Sequence, residues 1–196
     1  MSYCDGIIAK DLNPSSCSTR AAKGFEQVGI ILNRSDIDFS KVSFSAEKKN
    51  VLTALGLLKG KKGYRVAQHG QTPFTGTNSS AEVGTYGTGV NNNVVFAVLN
   101  NDQDTSENVI DSLLNGEFVM ILEMKDKGEG NNSAFRVYGL HQGLHLSAYE
   151  HDPYGDTYGG GLVTLTETDA PMSALYLGDT YAAGKSLFDS FLAPAA

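Results

Sequence analysis

Short apolar runs separated by glycine-rich polar segments are the feature that most constrains this chain. The longest uninterrupted apolar run, residues 94–99, has six residues. Glycine accounts for 22 of 196 residues, and the glycines lie with Asn, Ser and Thr between the apolar runs. Turn-forming residues at this spacing favour many short strands. We therefore expect a mainly β (α+β) fold: a β-sandwich or small barrel with one or two flanking helices and long extended loops.

Several segments have the composition and periodicity of strands. Residues 27–32 are apolar and β-branched and precede a polar turn at 33–36. Residues 118–124 place Phe118, Met120 and Leu122 on one face and Val119 and Ile121 on the other, which predicts a strand covered on both faces over its first half. Further strands are predicted over residues 94–99, 162–168 and 173–177.

Residues 135–146 predict one further strand, which its glycines interrupt. Phe135 and Val137 fall on one face, and the other face carries Tyr138, Leu140, Leu144 and Leu146. Glycines inside a strand often mark a bulge or a bend. Gly139 and Gly143 therefore predict a local distortion of this strand.

Two segments have helical spacing. Ser45 can cap a helix over residues 46–59, in which Val51, Leu55 and Leu58 share one face and Gly60 follows the end. A second helix begins at Thr105 or Ser106 and ends at 115–116, where Asn is followed by Gly. Its apolar stripe consists of Val109, Ile110, Leu113 and Leu114.

The chain is expected to form a single domain over residues 1–196. Residues 1–24 predict an extended N-terminal arm, and residues 69–93 predict a long loop or arm with little to bury. Residues 126–133 form a polar turn that suits a hairpin connection between two strands. No linker composition and no internal repeat divides the chain.

The charge of the chain bears on the class of partner. Fifteen basic and 22 acidic side chains give a formal net charge of −7. A negative net charge disfavours general attraction to nucleic acid or to an anionic membrane. No apolar run approaches the roughly 20 residues that span a bilayer, and the N-terminus has no pattern of a secretory signal.

Three histidines and two carboxylates form the best candidate for a metal site. They are His141, His145, His151, Asp152 and Asp156, which carry ligand types that first-row metals prefer. Four residues of a strand span about 13 Å, so histidines on one strand lie too far apart to share an ion. A turn near Tyr149 would be needed to bring His151 back. Surface or interface histidines are therefore the favoured interpretation.

Other motifs resemble functional sites without fitting them. Residues 152–156 have the oxygen-rich composition of a calcium loop but lack the EF-hand pattern, so an Asx/Pro/Gly turn is favoured. Residues 56–61 depart from a phosphate-binding loop in spacing, and residues 84–89 lack the strand–helix context of a dinucleotide fingerprint. Cys4 and Cys17 match no zinc or redox motif and are expected to be free thiols. We expect no catalytic residue, no cofactor and no metal.

Four segments resemble one family of viral proteins. Cys17 is followed, after a short gap, by residues 27–38 (Gln-Val-Gly-Ile-Ile-Leu-Asn-Arg-Ser-Asp-Ile-Asp). Residues 116–125, 135–144 and 159–167 continue the pattern in the same order. In element order over most of its length, the chain resembles virion structural proteins of tailed bacteriophages that infect Bacteroidetes, and in particular tail tube subunits.

The resemblance implies a non-enzymatic subunit. Tail tube subunits form rings, commonly of six copies, that stack into a hollow tube through which DNA passes. The resemblance implies that residues 106–114 form the helix that packs beside the β-structure, and that the arm at 69–93 reaches the next ring. It implies homo-oligomerisation, contacts with other tail or connector proteins, no specific nucleic-acid binding, no membrane, and a location in the virion tail after assembly in the host bacterial cytoplasm.

Three other classes of function remain open at this point. The chain could be another virion component: a ring protein, connector, tail terminator or capsid decoration protein. It could also be a carbohydrate-binding module, because Tyr149, Tyr154 and Tyr158 lie near Asp152 and Asp156, and aromatic rings with carboxylates can hold sugars. A metal-dependent hydrolase built on the histidines is the least favoured class.

Overall fold

The structure is a computed structural model that describes residues 22–85, 87–100, 102–155, 157, 160–172 and 174–195. The described strands are β1 (Phe25–Asn33), β2 (Ile37–Phe44), β3 (Val51–Leu57), β4 (Tyr64–Ala67), β5 (Asn78–Gly84), β6 (Gly87–Val98), β7 (Phe118–Met124), β8 (Phe135–Tyr138), β9 (His145–His151), β10 (Gly161–Ala170) and β11 (Leu175–Leu177). Helix α1 spans 103–115 and consists of α-helical Gln103–Thr105, a π-helical turn Ser106–Ile110 and α-helical Asp111–Asn115. Helix α2 is Tyr181–Ser190, and 3₁₀ turns occupy Arg34–Asp36 and Glu129–Asn131.

The strands form two sheets. The larger sheet has the order β2-β3-β11-β8-β7-β1-β4, and the smaller sheet has the order β5-β6-β10-β9. All pairings are antiparallel except that of β11 with β3. The expected mainly β, α+β sandwich is therefore confirmed, and two helices flank it.

Two hydrophobic cores lie on the two faces of the larger sheet. The inner core lies between the sheets and joins Phe118, Met120 and Leu122 of β7 to side chains of β6 and β10. The outer core lies against α2 and contains Val119 and Ile121 of the same strand. The prediction that residues 118–124 form a strand covered on both faces is confirmed, because successive side chains of a strand point to opposite faces.

Burial in the inner core also affects one tyrosine. Tyr138 ends β8 and is only 3% exposed. Burial disfavours the charged phenolate and raises the pKa of Tyr138 to about 12. The side chain therefore stays neutral in the folded protein at neutral pH.

The helix predicted over residues 46–59 is wrong. Residues 51–57 form β3, which lies between β2 and β11, with Leu52, Leu55 and Leu57 buried in the outer core. The Ser45 hydroxyl accepts a hydrogen bond from the Lys48 amide (3.3 Å), as expected of a cap, but it closes a single turn. Sheet pairing on both sides and burial of alternate side chains override the helical spacing.

The second predicted helix is confirmed as α1, with a different cap. Asp102 is the N-cap, and its carboxylate accepts a hydrogen bond from the Thr105 amide (2.7 Å). That hydrogen bond holds the pKa of Asp102 below its usual value. Leu113 faces the inner core, whereas Leu114 is 52% exposed.

Helix α2 was not predicted from the sequence. Thr180 caps it by accepting from the Ala183 amide (3.3 Å), and Phe188 packs into the outer core. Gly184 faces the sheet, where an added Cβ would lie 2.5 Å from the Leu177 carbonyl oxygen and 2.7 Å from the Phe135 ring. The close approach of α2 to the sheet requires a glycine at this position. A glycine in the interior of a helix lowers its helix propensity, and the sequence pattern of α2 is correspondingly weak.

Residues 135–146 form two strands instead of one. β8 belongs to the larger sheet and β9 to the smaller, and the turn between them has Gly139 and Gly143 at φ of +83° and +84°. Only glycine adopts such angles without strain. The predicted distortion is therefore a complete crossing between sheets, and Leu140 packs in the outer core instead of sharing a face with Tyr138.

Residues 69–93, predicted to be a long loop or arm, contain a β-hairpin. β5 pairs with the first half of β6 from Asn78↔Asn93 to Gly84↔Gly87. We call residues 78–93 the hairpin arm. Its strands are polar and have few apolar side chains to bury, so the sequence pattern did not predict them. Backbone hydrogen bonds and amide side chains stabilise the pairing; for example, the Asn93 side chain donates to the Asn78 side chain (3.1 Å). The predicted hairpin connection at 126–133 joins β7 to β8, as expected.

Gly184→Ala tests the close packing of α2. In an exposed helix this change would stabilise the protein by about 1 kcal/mol, because alanine has the higher helix propensity. Here the new methyl group meets the Leu177 carbonyl, so we expect a loss of about 2 kcal/mol in the free energy of unfolding. Urea denaturation measures it. Ser186→Ala on the exposed face of the same helix is the control, and stabilisation by Gly184→Ala would contradict the packing described.

Candidate functional site

The smaller sheet covers the inner core with one face and exposes the other. Cross-strand pairs share a face, so the exposed side can be followed from strand to strand. We call it the open face. Its side chains are small, polar or weakly apolar, and they include Asn78, Ser80, Glu82, Asn91, Asn93, Val95, Ala97, His145, Ala148, Glu150, Leu162, Thr164 and Thr166.

Among the described residues, no Lys or Arg side chain lies on the open face. The four strands of the smaller sheet contain no Lys and no Arg, whereas Glu82 and Glu150 lie on the open face. The described Lys and Arg residues lie in the larger sheet, in the segments before and between its strands, and in α2. The open face therefore offers a polyanion no Lys or Arg to pair with.

Both edges of the smaller sheet are open. Among the described residues, β5 pairs only with β6 and β9 pairs only with β10. All seven residues of β5 are exposed, and Val83 is 84% exposed. β9 also has seven residues, and it runs antiparallel to β5 because three antiparallel pairings separate them. The two edges are thus matched in length and direction.

The part of β6 that β5 leaves uncovered is protected by side chains. The Thr77 hydroxyl accepts from the Val95 amide (3.0 Å). The Gln68 amide group accepts from the Ala97 amide (2.9 Å) and donates to the Ala97 carbonyl (2.8 Å). Proteins block strand edges in this way to prevent unwanted pairing. The edge of β6 is thus capped by side chains, whereas the edge of β5 is left available for pairing with another strand.

A buried carboxylate fixes the hairpin arm to the rest of the fold. Glu167 of β10 is 2% exposed and accepts from the Asn92 side chain (2.8 Å). It also accepts from the backbone amides of Gly139 (3.1 Å), His141 (3.1 Å) and Gln142 (2.9 Å). All four donors bind one side chain, so Glu167 links the arm, β10 and the turn that crosses between the sheets.

The three candidate metal ligands among the histidines do not converge. His145 and His151 lie at opposite ends of β9, about 20 Å apart at the usual rise of a strand. His141 lies in the turn before β9, where its ring stacks on Phe44 at 6.4 Å. Across the described part of the chain, no group of three or more His, Cys, Asp or Glu side chains is placed to hold a metal ion.

The remaining candidate motifs fall in turns. The Asp152 carboxylate accepts from the Tyr154 amide (2.9 Å), and the Asp152 carbonyl accepts from the Gly155 amide (3.0 Å). This is the Asx turn favoured from the sequence. Asp156, Tyr158 and both cysteines lie outside the described residues. Tyr154 is 99% exposed while Tyr149 packs against the inner core, so these two rings do not form a shared platform.

The glycine-rich motifs are also structural. Gly60 has φ of +77° in the turn after β3, and the neighbouring Lys61 forms an ion pair with Asp36 (3.1 Å). Gly84 and Gly87 are the last pair of the hairpin arm. Neither segment opens a helix, so neither presents the backbone amides of a phosphate-binding loop.

No protein-family model, no curated protein and no solved structure matches this chain. No helix among the described residues is long and apolar enough to cross a membrane. The functional assignment therefore depends on the residues and geometry of this chain. The features on which we base it are the open face of the smaller sheet and its two edge strands, β5 and β9.

Substitutions at Glu167 test its role in fixing the arm. Glu167→Ala leaves three buried backbone donors and Asn92 without an acceptor, and we expect a loss of about 3 kcal/mol or more in the free energy of unfolding. Glu167→Gln keeps the shape of the side chain and one carbonyl oxygen, but its amide NH₂ group faces groups that are themselves donors. We therefore expect a loss of about 2 kcal/mol in the free energy of unfolding. Chemical denaturation gives both values. Thr168→Ala, an exposed neighbour, is expected to stay within about 0.5 kcal/mol.

Proposed function

We propose that this protein is a non-enzymatic structural subunit that assembles with copies of itself into rings, and that the rings stack into the tail tube of a tailed bacteriophage. The observation that carries the proposal is the smaller sheet, which has two matched open edges and an exposed face without Lys or Arg. The order of the sequence elements, which resembles that of tail tube subunits, supports the same function.

The two open edges favour a closed ring. The edge of β5 in one copy can pair with the edge of β9 in the next, because the two strands are antiparallel and equally long. Such a contact joins two different surfaces, and repeating it by rotation closes a ring. Ring closure leaves no edge of the smaller sheet exposed, which removes the hazard of open strands in that sheet. A ring of six copies would join six four-stranded sheets into one barrel.

The open face then lines the channel of the ring. A channel for DNA must not retain phosphates, and Lys and Arg are the side chains that bind them most strongly. The open face carries Glu82 and Glu150 with asparagines, serines and threonines. The carboxylates repel phosphates and the neutral side chains form no ion pair with them, so DNA meets no strong binding site in the channel.

The hairpin arm supplies a contact between successive rings. It projects Val83, an apolar side chain that is 84% exposed, at the end of a strand whose residues are all exposed. A neighbouring ring would bury this end of the arm. The arm favours a stacking tube subunit over a tail terminator, a connector or a capsid decoration protein, which remain the alternative virion roles. Assembly in the host cytoplasm and contacts with other tail or connector proteins belong to the same proposal.

Crosslinking tests the contact between β5 and β9. We expect Ser80→Cys combined with Ala148→Cys, in a background with Cys4→Ser and Cys17→Ser, to give a ladder of covalent multimers with a short bismaleimide. Both positions lie near the middle of an edge strand on the open face. Denaturing electrophoresis shows the ladder, whose highest rung gives the number of copies in the ring.

The crosslinking controls separate a ring contact from random collision. Each single cysteine variant should stop at a dimer. Ser80→Cys combined with Thr164→Cys places the second thiol on the same face but in the middle of the sheet, and it should also give no ladder. Ladders from this pair, or none from the edge pair at concentrations where electron microscopy shows rings, would overturn the proposed contact.

A substitution at the end of the hairpin arm tests stacking. We expect Val83→Asp to form rings that do not extend into tubes, because the change places a charge on the exposed apolar end of the arm and leaves the backbone edge of β5 for the ring contact. Negative-stain electron microscopy distinguishes rings from tubes. The thermal midpoint should stay within a few degrees, since the Val83 side chain is 84% exposed. Tubes of normal length from this variant would exclude Val83 from stacking.

A further inference from the structure

The larger sheet also ends in an open edge, on β4. Among the described residues, β4 pairs only with β1. Its side chains alternate: Tyr64 and Val66 lie on the face of the inner core, and Arg65 lies on the face of α2, opposite Ile30. An extended segment added to this edge would likewise send alternate side chains to the two faces.

A cavity lies beside this edge on each face. The cavity on the inner-core face has a volume of about 430 Å³, and most of its lining is apolar: Ile31, Val66, Phe96, Val109, Leu113 and Phe118. Its polar lining residues are Asn33, Tyr64, Arg65, Asn108 and Ser112. This cavity can take an apolar side chain, because most of the contacts that it offers are apolar.

The cavity on the α2 face is larger, about 790 Å³, and charged. The three carboxylates in its lining are already paired: Glu123 and Glu26 with the neighbouring Lys127 (2.6 and 3.2 Å), and Asp189 with Lys185 (3.0 Å). Burial lowers the pKa of Lys127, but its hydrogen bonds and the charges of Glu123 and Glu26 outweigh burial and raise it above the usual value.

Two cations in this cavity have no carboxylate partner. The Lys125 ammonium donates to the Gln71 backbone carbonyl (2.8 Å), and Arg65 forms no ion pair within the described part of the chain. Both side chains line the cavity on the α2 face. Lys125 lines only this cavity, whereas Arg65 also lines the cavity on the inner-core face.

We propose that the β4 edge is a docking site for an extended segment of another protein whose residues alternate between apolar and acidic. The backbone of the segment would pair with β4, its apolar side chains would enter the cavity of the inner-core face, and its carboxylates would meet Arg65 and Lys125. This surface belongs to the larger sheet, so the proposal does not rest on ring formation by the smaller sheet.

The charges around the β4 edge determine which of its two faces the acidic side chains of the segment would occupy. On the inner-core side, α1 carries Asp104, Glu107 and Asp111, all exposed, and it contains no Lys or Arg. A carboxylate placed on that side would lie near these acidic side chains, whereas on the other side it would find Lys125, which lines only the cavity on the α2 face. A segment with the right composition in a different order would not satisfy both faces at once.

Binding of a synthetic peptide to the full-length protein tests the proposal. The probe is a fluorescein-labelled, C-terminally amidated peptide of alternating Val and Glu, measured by fluorescence anisotropy. We expect saturable binding, at least tenfold weaker binding of a peptide with the same composition in two blocks, and no binding of an alternating Val and Lys peptide. Equal binding of the block and alternating peptides, or no binding of the alternating probe, would overturn the proposal.

Charge reversal on the protein locates the site. We expect Arg65→Glu with Lys125→Glu to weaken binding of the Val–Glu peptide at least tenfold and to create binding of the Val–Lys peptide. Lys48→Glu with Lys49→Glu, an equal charge change in the exposed turn before β3, is the matched control and should change neither. Hydrogen exchange should slow in β4 when the peptide binds.

Three results would count against the proposal. The first is binding that the double charge reversal leaves unchanged. The second is slowed exchange in β5 or β9 instead of β4, which would place the peptide on the smaller sheet. The third is a change in oligomeric state on Arg65→Glu without any peptide binding, which would identify the β4 edge as a contact between copies of this chain.

Discussion

The hydrogen bonds to the Glu167 carboxylate hold together the parts of the fold on which the proposed function depends. A buried charge is costly unless several donors compensate it, and here three backbone amides and Asn92 do so. The same interaction sets the register of β6 against β10 and fixes the turn through which the chain passes from one sheet to the other. The exposed hairpin arm therefore extends from a rigid base.

The second constraint is that the two sheets are packed differently. The larger sheet packs on both faces, with the inner core on one side and α2 on the other. The smaller sheet packs on one face only, and its open face and two edges remain for contacts outside the subunit. The described Lys and Arg residues all lie outside the strands of the smaller sheet, so the two layers differ in charge. In the two proposals made above, the open face lines a channel for DNA and the β4 edge binds a segment with carboxylates.

Sequence patterns predicted the buried strands well and the exposed ones poorly. Residues 118–124 alternate apolar side chains on both faces, and β7 has the predicted bounds and burial. The hairpin arm consists of Asn, Ser, Gly and Thr, so neither burial nor periodicity revealed its strands, and residues 69–93 were expected to be irregular. In the segment 46–59 the spacing of Val51, Leu55 and Leu58 fitted a helix, but strand pairing with β2 and β11 decided otherwise.

The sequence by itself determined the β-rich class, most of the strands and helix α1, because these follow from composition and from side-chain alternation along short segments. Only the tertiary structure decided which strands become edges, where the Gly139 and Gly143 turn crosses between sheets, and how α2 packs through Gly184. It also brought Arg65 and Lys125, 60 positions apart, to one cavity. These features depend on contacts between distant segments, and a local pattern carries no information about which distant backbone will lie beside it.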